Sequence, residues 1–441
     1  MPQNWVYQES LYDDLNTPEV DESEIGYSDG PLPDSGDYVY FQGNPLLPYS
    51  EESFPTYYDC NGFGLASGVF ELVSIGSVGN GSVYNKTVTL ATGFETDNYF
   101  QASGKLSQPA SGTDVTVYEV FTWVGGELNS SSHLSDVFIR GANALIAPTS
   151  SGIVTAGSNL VFTDDTEGTI QNGTIQLRNE SIVTVDNGAA VYVEAFAEDS
   201  VILTPDDFFA RMTISVGLFS SFTVVHGGLL NRGAVRTMGY CTLNPGTLFH
   251  CQPNFLFGPL SAYSQVGMNS ITALADGSEL RAFGDVSIEN GKLSTIAYSE
   301  SEEHEATIKC VTLKVSGGEI VLGDGSIPHI FSELWVMGDV IWTGGTYRPV
   351  VDGSRNGGAA DCWYTDGTFS VGGSTVIAPG SIDYEGECTP YESNWLWEII
   401  HADAGITVQA GSAPPTVTGY FQLYFEPDDT VFSWKIKSVI N

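Results

Sequence analysis

The residues able to do chemistry in this chain are few and scattered. Adjacent carboxylates occur at Asp164-Asp165, Asp206-Asp207 and Asp428-Asp429. Glycoside hydrolysis needs two carboxyl groups at a fixed separation, and hydrolases that use such pairs on β-rich scaffolds add a Gly-His-Gly turn and an Arg-x-Lys strand. Val225-His226-Gly227-Gly228 matches the turn in part, and Lys435-Ile436-Lys437 lies near the C-terminus, but their order and spacing assemble no site. A polysaccharide lyase needs a basic residue beside acids that hold calcium, and the 15 Lys and Arg are mostly isolated. The six histidines, at 133, 226, 250, 304, 329 and 401, form no His-x-x-x-His pair, and no phosphate-binding Gly-x-x-x-x-Gly-Lys loop occurs. The expectation is a protein that is not an enzyme, with polysaccharide cleavage as the alternative activity.

Binding chemistry has more material. Asp164-Asp165-Thr166-Glu167 offers oxygen ligands of the kind Ca²⁺ takes, so Asp164, Asp165 and Glu167 are the candidate calcium residues. Cysteines stand at 60, 241, 251, 310, 362 and 388. Cys241 with Cys251, and Cys362 with Cys388, are near enough in sequence to close loops as disulfides, and buried free thiols are the other reading. A zinc site at Cys241, His250 and Cys251 lacks the short paired spacing of structural zinc. Trp395 and Trp397 offer either a sugar-stacking platform or the buried side of a cap helix.

The chain that must position these groups has 441 residues, 54 acidic against 15 basic, for a net charge of −39. Clustered Lys and Arg, on which phosphate binding rests, are missing, which excludes nucleic acid as a partner and disfavours anionic membranes and acidic polysaccharides. No stretch approaches the roughly 18 apolar residues that span a bilayer. The opening residues, Met1-Pro2-Gln3-Asn4-Trp5, do not read as a secretory signal.

The first basic residue is Lys86, and the first 60 residues carry 13 acids and seven prolines. Residues 1–60 therefore read as an extended acidic arm. Its aromatic residues, among them Trp5, Tyr7, Tyr38, Tyr40 and Phe41, are candidate anchors onto its own body or a neighbouring copy. Residues 61–390 read as a β body. Asn-Gly pairs (172, 187, 290), Asp-Gly pairs (276, 324, 366) and Gly-Gly pairs (125, 317, 344, 372) punctuate short runs such as Ile182-Val183-Thr184-Val185 and Val311-Thr312-Leu313-Lys314-Val315. Residues 391–441 read as a cap. It would hold a short helix after Ser393, carrying Trp395, Leu396, Ile399 and Ile400, and an antiparallel hairpin about Pro427-Asp428-Asp429. A second helical start is expected at Thr204-Pro205-Asp206-Asp207.

A repeat selects among β architectures. Gly317-Gly318 with Gly325-Ser326 recurs as Gly344-Gly345 with Gly353-Ser354 and as Gly372-Gly373 with Gly380-Ser381. A period near 27 residues in an all-β chain predicts one turn of a solenoid per repeat. The expected fold is all-β, a right-handed parallel β-helix with an extended N-terminal arm and a β-rich C-terminal cap.

Two stretches, Phe121-Thr122-Trp123-Val124-Gly125-Gly126-Glu127 through Pro148 and Gly338-Asp339-Val340-Ile341-Trp342-Thr343-Gly344-Gly345-Thr346-Tyr347 through Gly373, resemble a known type. They are similar to the β-helical repeats of large surface proteins of planctomycete-like bacteria and of autotransporter passengers. The resemblance covers about half of the chain and lies in turn and core positions. It implies an extracellular or cell-surface setting and no catalytic residues. The expected function is a structural or adhesive protein whose partners are copies of itself, with neutral carbohydrate as a further partner. A virion component is the reading that needs no secretory signal.

Overall fold

The computed structural model describes residues 93–108, 113–130, 135–148, 152–178, 181–195, 201–205, 212–232, 234–251, 262–296, 305–323, 331–383, 386–387, 392–424 and 433–439. It also describes the short strands Val6–Gln8, Ile25–Tyr27, Tyr38–Phe41, Tyr57–Cys60, Phe70–Ile75 and Thr87–Leu90. Every regular element among these residues is a strand, so the protein is all-β, with its strands hydrogen-bonded into a large many-stranded sheet. No helix among the described residues is long and apolar enough to cross a membrane. The chain divides into two compact units, Met1–Phe196 with Ser200–Ser215, and Ala197–Asp199 with Val216–Asn441.

In the first unit, from Phe94 onward, strands pair in parallel with strands one tier, or about 22 residues, further on. One ladder aligns Phe94, Val115, Val137, Leu160 and Val183. A second aligns Tyr99, Phe121, Ala144, Gly168 and Val191, and a third Leu106, Leu128, Ala156 and Leu177. All of these side chains are buried. Alternation along each strand sends every second residue inward, and the parallel register stacks like on like. Tyr99 and Phe121 lie face to face at 5.5 Å.

The second unit repeats the arrangement with longer ladders. Phe222, Cys241, Thr272, Leu293, Ile320, Tyr347 and Ile377 form one line. Leu229, Phe249, Leu280, Ile308, Val336, Thr365 and Ala402 form another. The third runs through Val235, Tyr263, Val286, Leu313, Val340, Phe369 and Ile406. These residues are buried, with bulky aromatic side chains filling the interior at Tyr347, Trp342 and Trp363.

Buried glutamines fasten the ends of strands. Gln265 is fully buried; its amide donates to the carbonyls of Asn290 at 2.8 Å, Lys292 at 3.2 Å and Ser270 at 3.3 Å, and its carbonyl accepts from Thr272 at 2.6 Å. Gln101 and Gln108 do the same in the first unit, Gln101 to Gly104 and Glu127, Gln108 to Thr113. Each adds a side-chain donor to backbone carbonyls at strand ends, some of which also accept a backbone N–H, as Ser270 does from Lys292 and Gly104 from Glu127.

The repeated Gly-Gly pairs have a steric cause. A Cβ on Gly344 would stand 2.3 Å from the Ser316 carbonyl oxygen, and one on Gly345 would stand 2.6 Å from that of Gly318. Gly345 also has φ +93, a region that L side chains rarely adopt. The repeat is therefore the imprint of consecutive tiers touching backbone to backbone.

The cap departs from expectation in one element. The segment after Ser393 is not a helix: Leu396–Ala402 is a strand, parallel to Cys362–Thr365 and antiparallel to Ser433–Ser438. Pairing on both sides outweighs a local pattern that is weak as a helix signal. The antiparallel hairpin is present, formed by Phe421–Tyr424 and Ser433–Ser438. Thr204 and Pro205 end the strand Val201–Pro205, and the acids that follow lie outside the described residues.

Candidate functional site

The candidate arm anchors fall largely in backbone pairings. Trp5 lies outside the described residues. Tyr7 sits in Val6–Gln8, which is antiparallel to both Ile25–Tyr27 and Tyr38–Phe41. Tyr38, Tyr40 and Phe41 belong to a strand that runs parallel to Leu72–Ile75, so this part of the arm joins the sheet of its own chain. Gly26-Tyr27-Ser28-Asp29-Gly30 has the spacing of a nucleophile elbow, which requires a strand entering a helix. Its first two residues lie in an antiparallel strand, and Ser28 lies outside the described residues.

Asp164 and Asp165 form a tight turn with φ 55 and 62. Asp164 accepts a hydrogen bond from Asn187 and lies 3.7 Å from Arg140, while Glu167 is exposed at the start of the strand Glu167–Gln171. Among the described residues no three His, Cys, Asp or Glu side chains converge as a metal site.

Of the two readings of Cys241 and Cys251, disulfide or buried free thiols, the structure has the second: both thiols are free and buried. They lie on strands that pair with different neighbours, Cys241 beside Phe222 and Cys251 beside Asn231. Cys362 is likewise free and buried, and Cys388 lies outside the described residues. Burial pushes the Cys241 thiol up to about 11 against a hydrogen bond with Tyr263, and pushes Cys310, beside Asp285, Asp366 and Asp339, up to about 12. Protonated buried thiols are inert. Iodoacetamide at pH 8 should therefore spare Cys241, Cys251, Cys310 and Cys362 in the native protein and label all four in urea without reductant. Peptide mass spectrometry reads the result, and a Cys241–Cys251 pair that stays unlabelled in urea refutes it.

A cleft that gathers polar side chains of several kinds lies in the second unit, with a volume of about 530 Å³. Phe331, Glu333, Tyr364, Leu396, Glu398 and Lys435 line it, and Cys362 and Trp397 contribute to its lining. The fold places them through register. Glu333 is the ladder neighbour of Cys362, Trp335 of Tyr364, and Tyr364 of His401, while Lys435 opposes Glu398 across an antiparallel pair. Two rows of side chains thus stand side by side on the outer face.

These groups are held in place. Tyr364 is sandwiched between Trp335, at 5.0 Å and 16° from parallel, and His401 at 5.7 Å. The Trp335 indole donates to Glu333 at 3.0 Å, and the His401 ring nitrogens lie 2.8 Å from Glu398 and 3.2 Å from Asp403. One wall, residues 356–360, is tied to the opposite one: Leu396 N–H donates to Asn356 at 2.7 Å and Gly357 N–H to the Leu396 carbonyl at 3.1 Å. Trp397 is buried and donates its indole N–H to the Asp352 carbonyl. Burial, with Cys362 next and the carboxylates of Glu333 and Glu398 adding, raises the Tyr364 hydroxyl far above its usual range. Burial likewise raises Cys362, although a hydrogen bond from Tyr364 opposes the shift. Both stay protonated at neutral pH, so the cleft presents a neutral hydroxyl between two carboxylates and one ammonium.

Of the residues singled out for chemistry in the sequence, Cys362, Trp397 and Lys435 belong to this cleft. Glu333, Tyr364 and Glu398 sit at outward positions of strands far apart in sequence, and the signal that finds them is the repeat itself, read at the positions facing away from the core. Comparisons with protein-family models, with curated proteins and with solved structures gave no match.

Proposed function

We propose that the chain is a right-handed parallel β-helix with an N-terminal arm and a β-rich cap. Its proposed role is a non-enzymatic structural or adhesive protein of an extracellular or cell-surface assembly. The observation that carries this reading is the set of parallel ladders in each unit, with successive tiers contributing one buried residue to each of three lines. Parallel crossovers are right-handed in nearly all known sheets, which supports the hand. A stack of this kind makes a stiff scaffold in which each tier touches only its neighbours.

Self-association through the arm is part of the reading. Tyr38–Phe41 adds in parallel to Leu72–Ile75 within the chain. The same hydrogen bonds made to a second copy would be strand addition between molecules, and repetition of that contact builds a filament or array. With a net charge of −39, association should strengthen with added salt or Ca²⁺, which screen repulsion. Removing residues 1–42 is expected to convert assemblies to monomers on size-exclusion chromatography and to abolish polymers in electron micrographs. Unchanged assembly would sink the arm's role. A virion component remains a variant of the same structural reading.

A second reading, a carbohydrate-active β-helix, is favoured by the presence of Glu333 and Glu398 in one cleft. Reducing-sugar release from a polysaccharide panel, lost in Glu333→Gln or Glu398→Gln, would replace the structural reading with an enzymatic one.

A further inference from the structure

We infer that the cleft between Phe331, Glu333, Tyr364, Leu396, Glu398 and Lys435 is a binding site for a neutral saccharide. The inference goes beyond the structural role and needs no assembly, since the cleft lies within one unit of one chain.

The chemistry of the lining selects the ligand class. Two carboxylates accept hydrogen bonds, one ammonium donates them, and the Tyr364 hydroxyl can do either. An anionic ligand would meet Glu333 and Glu398, and a cationic one would meet Lys435. Sugar hydroxyls, each both donor and acceptor, match such a mixed set without a charge to neutralise. Phe331 and Leu396 add apolar surface, which suits the C–H face of a pyranose ring. The volume of about 530 Å³ lies in the range of small-ligand sites, roughly 300–1,000 Å³.

Preorganisation is the second argument. Tyr364 is clamped on both faces, Glu333 and Glu398 are each hydrogen-bonded to a ring of that stack, and the 356–360 wall is bolted to Leu396. A site whose polar groups are already fixed loses little conformational freedom on binding. The aromatic stack acts here through position: Trp335 and His401 flank the Tyr364 ring and hold its hydroxyl at the cleft, while Phe331 and Leu396 provide the apolar contact.

The test uses the full chain and isothermal titration calorimetry with cellohexaose, xylohexaose, mannohexaose, maltohexaose and hexa-N-acetylchitohexaose. A galacturonate hexamer and a glucosamine hexamer serve as charged counterparts. At least one neutral hexamer is expected to bind more tightly than either charged one, and Glu333→Gln and Glu398→Gln are each expected to weaken it at least tenfold. Arg140→Ala, in the other unit, should leave binding unchanged. Hydrogen–deuterium exchange on the unaltered protein guards against a variant that misfolds: the bound sugar should protect residues 356–364 and 396–398. The inference is overturned if no neutral hexamer binds, if a charged one binds more tightly, if the Gln variants bind as well as the unaltered chain, or if protection falls elsewhere. Assembly of the chain is read separately, so loss of the arm's role would leave this result untouched.

Discussion

Gly345→Ala is expected to lower the stability of the second unit by about 3 kcal/mol or more, read as a shift in the urea midpoint of tryptophan fluorescence. The new methyl group would stand 2.6 Å from the Gly318 carbonyl oxygen, with further backbone atoms of Gly317 at 2.8 and 2.9 Å. None of these is the end of a flexible side chain, so relief requires two tiers to move apart. That motion would strain the ladder hydrogen bonds of Glu319–Val321 with the same long strand. The φ of +93 adds its own penalty of about 1–2 kcal/mol for an L residue. Gly357→Ala is the control: its φ is +64, but a Cβ there meets nothing within 4 Å. It should cost about 1 kcal/mol. Equal effects of the two substitutions would show that tier contact is not what the repeated glycines serve.

Gln265→Leu is expected to cost about 3–5 kcal/mol in the same measurement, although leucine is of similar size and more apolar. The glutamine amide serves three carbonyls on two segments, Ser270 on one and Asn290 and Lys292 on the other, and its carbonyl oxygen accepts from Thr272, whose hydroxyl also lies 2.6 Å from that of Tyr263. Leucine removes the acceptor of the buried Thr272 hydroxyl and the donor to these carbonyls, two of them in part-buried bonds, and each such loss costs about 1–3 kcal/mol. Gln265→Glu keeps the acceptor and removes the amide donor, so it should also be destabilising, most strongly at pH values where the new carboxyl must ionise in a buried site. A loss below about 1 kcal/mol for the leucine variant would mean that water or neighbouring donors already satisfy those carbonyls.

The all-β architecture was legible in the sequence because its causes are local. Asn187-Gly188 takes up the positive φ angles that this dipeptide favours, at 51 and 87. Gly317, Gly344 and Gly373, one in each copy of the repeat, mark tiers because backbone contact leaves no room for a side chain. The strand Leu396–Ala402 was misread for an equally local reason. Its register shifts between Glu398 and Ile400, so Ile399 and Ile400 are both buried. That irregularity breaks the alternation of a strand and leaves apolar spacing that imitates a helix. The cleft was not legible. Its carboxylates and its tyrosine are ordinary outward residues in sequence, and only the parallel register sets Glu333 beside Cys362 and Tyr364 between Trp335 and His401. The Asp164-Asp165 pair shows the converse: conspicuous in sequence, it is used by the fold as a turn.

The strand Ser433–Ser438 closes the Leu396–Ala402 edge to further parallel pairing. It lies antiparallel against Leu396–Ala402 and antiparallel against Phe421–Tyr424, so the cap reverses the sense of the strands beneath it. A stack of parallel tiers grows like a crystal, each layer templating the next, and a layer of opposite sense is a growth poison for that face. The tier at Cys362–Thr365 is already covered by Leu396–Ala402 and its reversed neighbour. Extension by the parallel pairing that built the body stops there, and at the other end Val6–Gln8, antiparallel to Tyr38–Phe41, likewise reverses the sense beyond the strand that pairs in parallel with Leu72–Ile75. On the proposed self-association, a polymer of this chain would therefore join its copies by exchange of the Tyr38–Phe41 strand and not by adding tier to tier, a distinction that seeded growth with the chain lacking residues 1–42 can resolve.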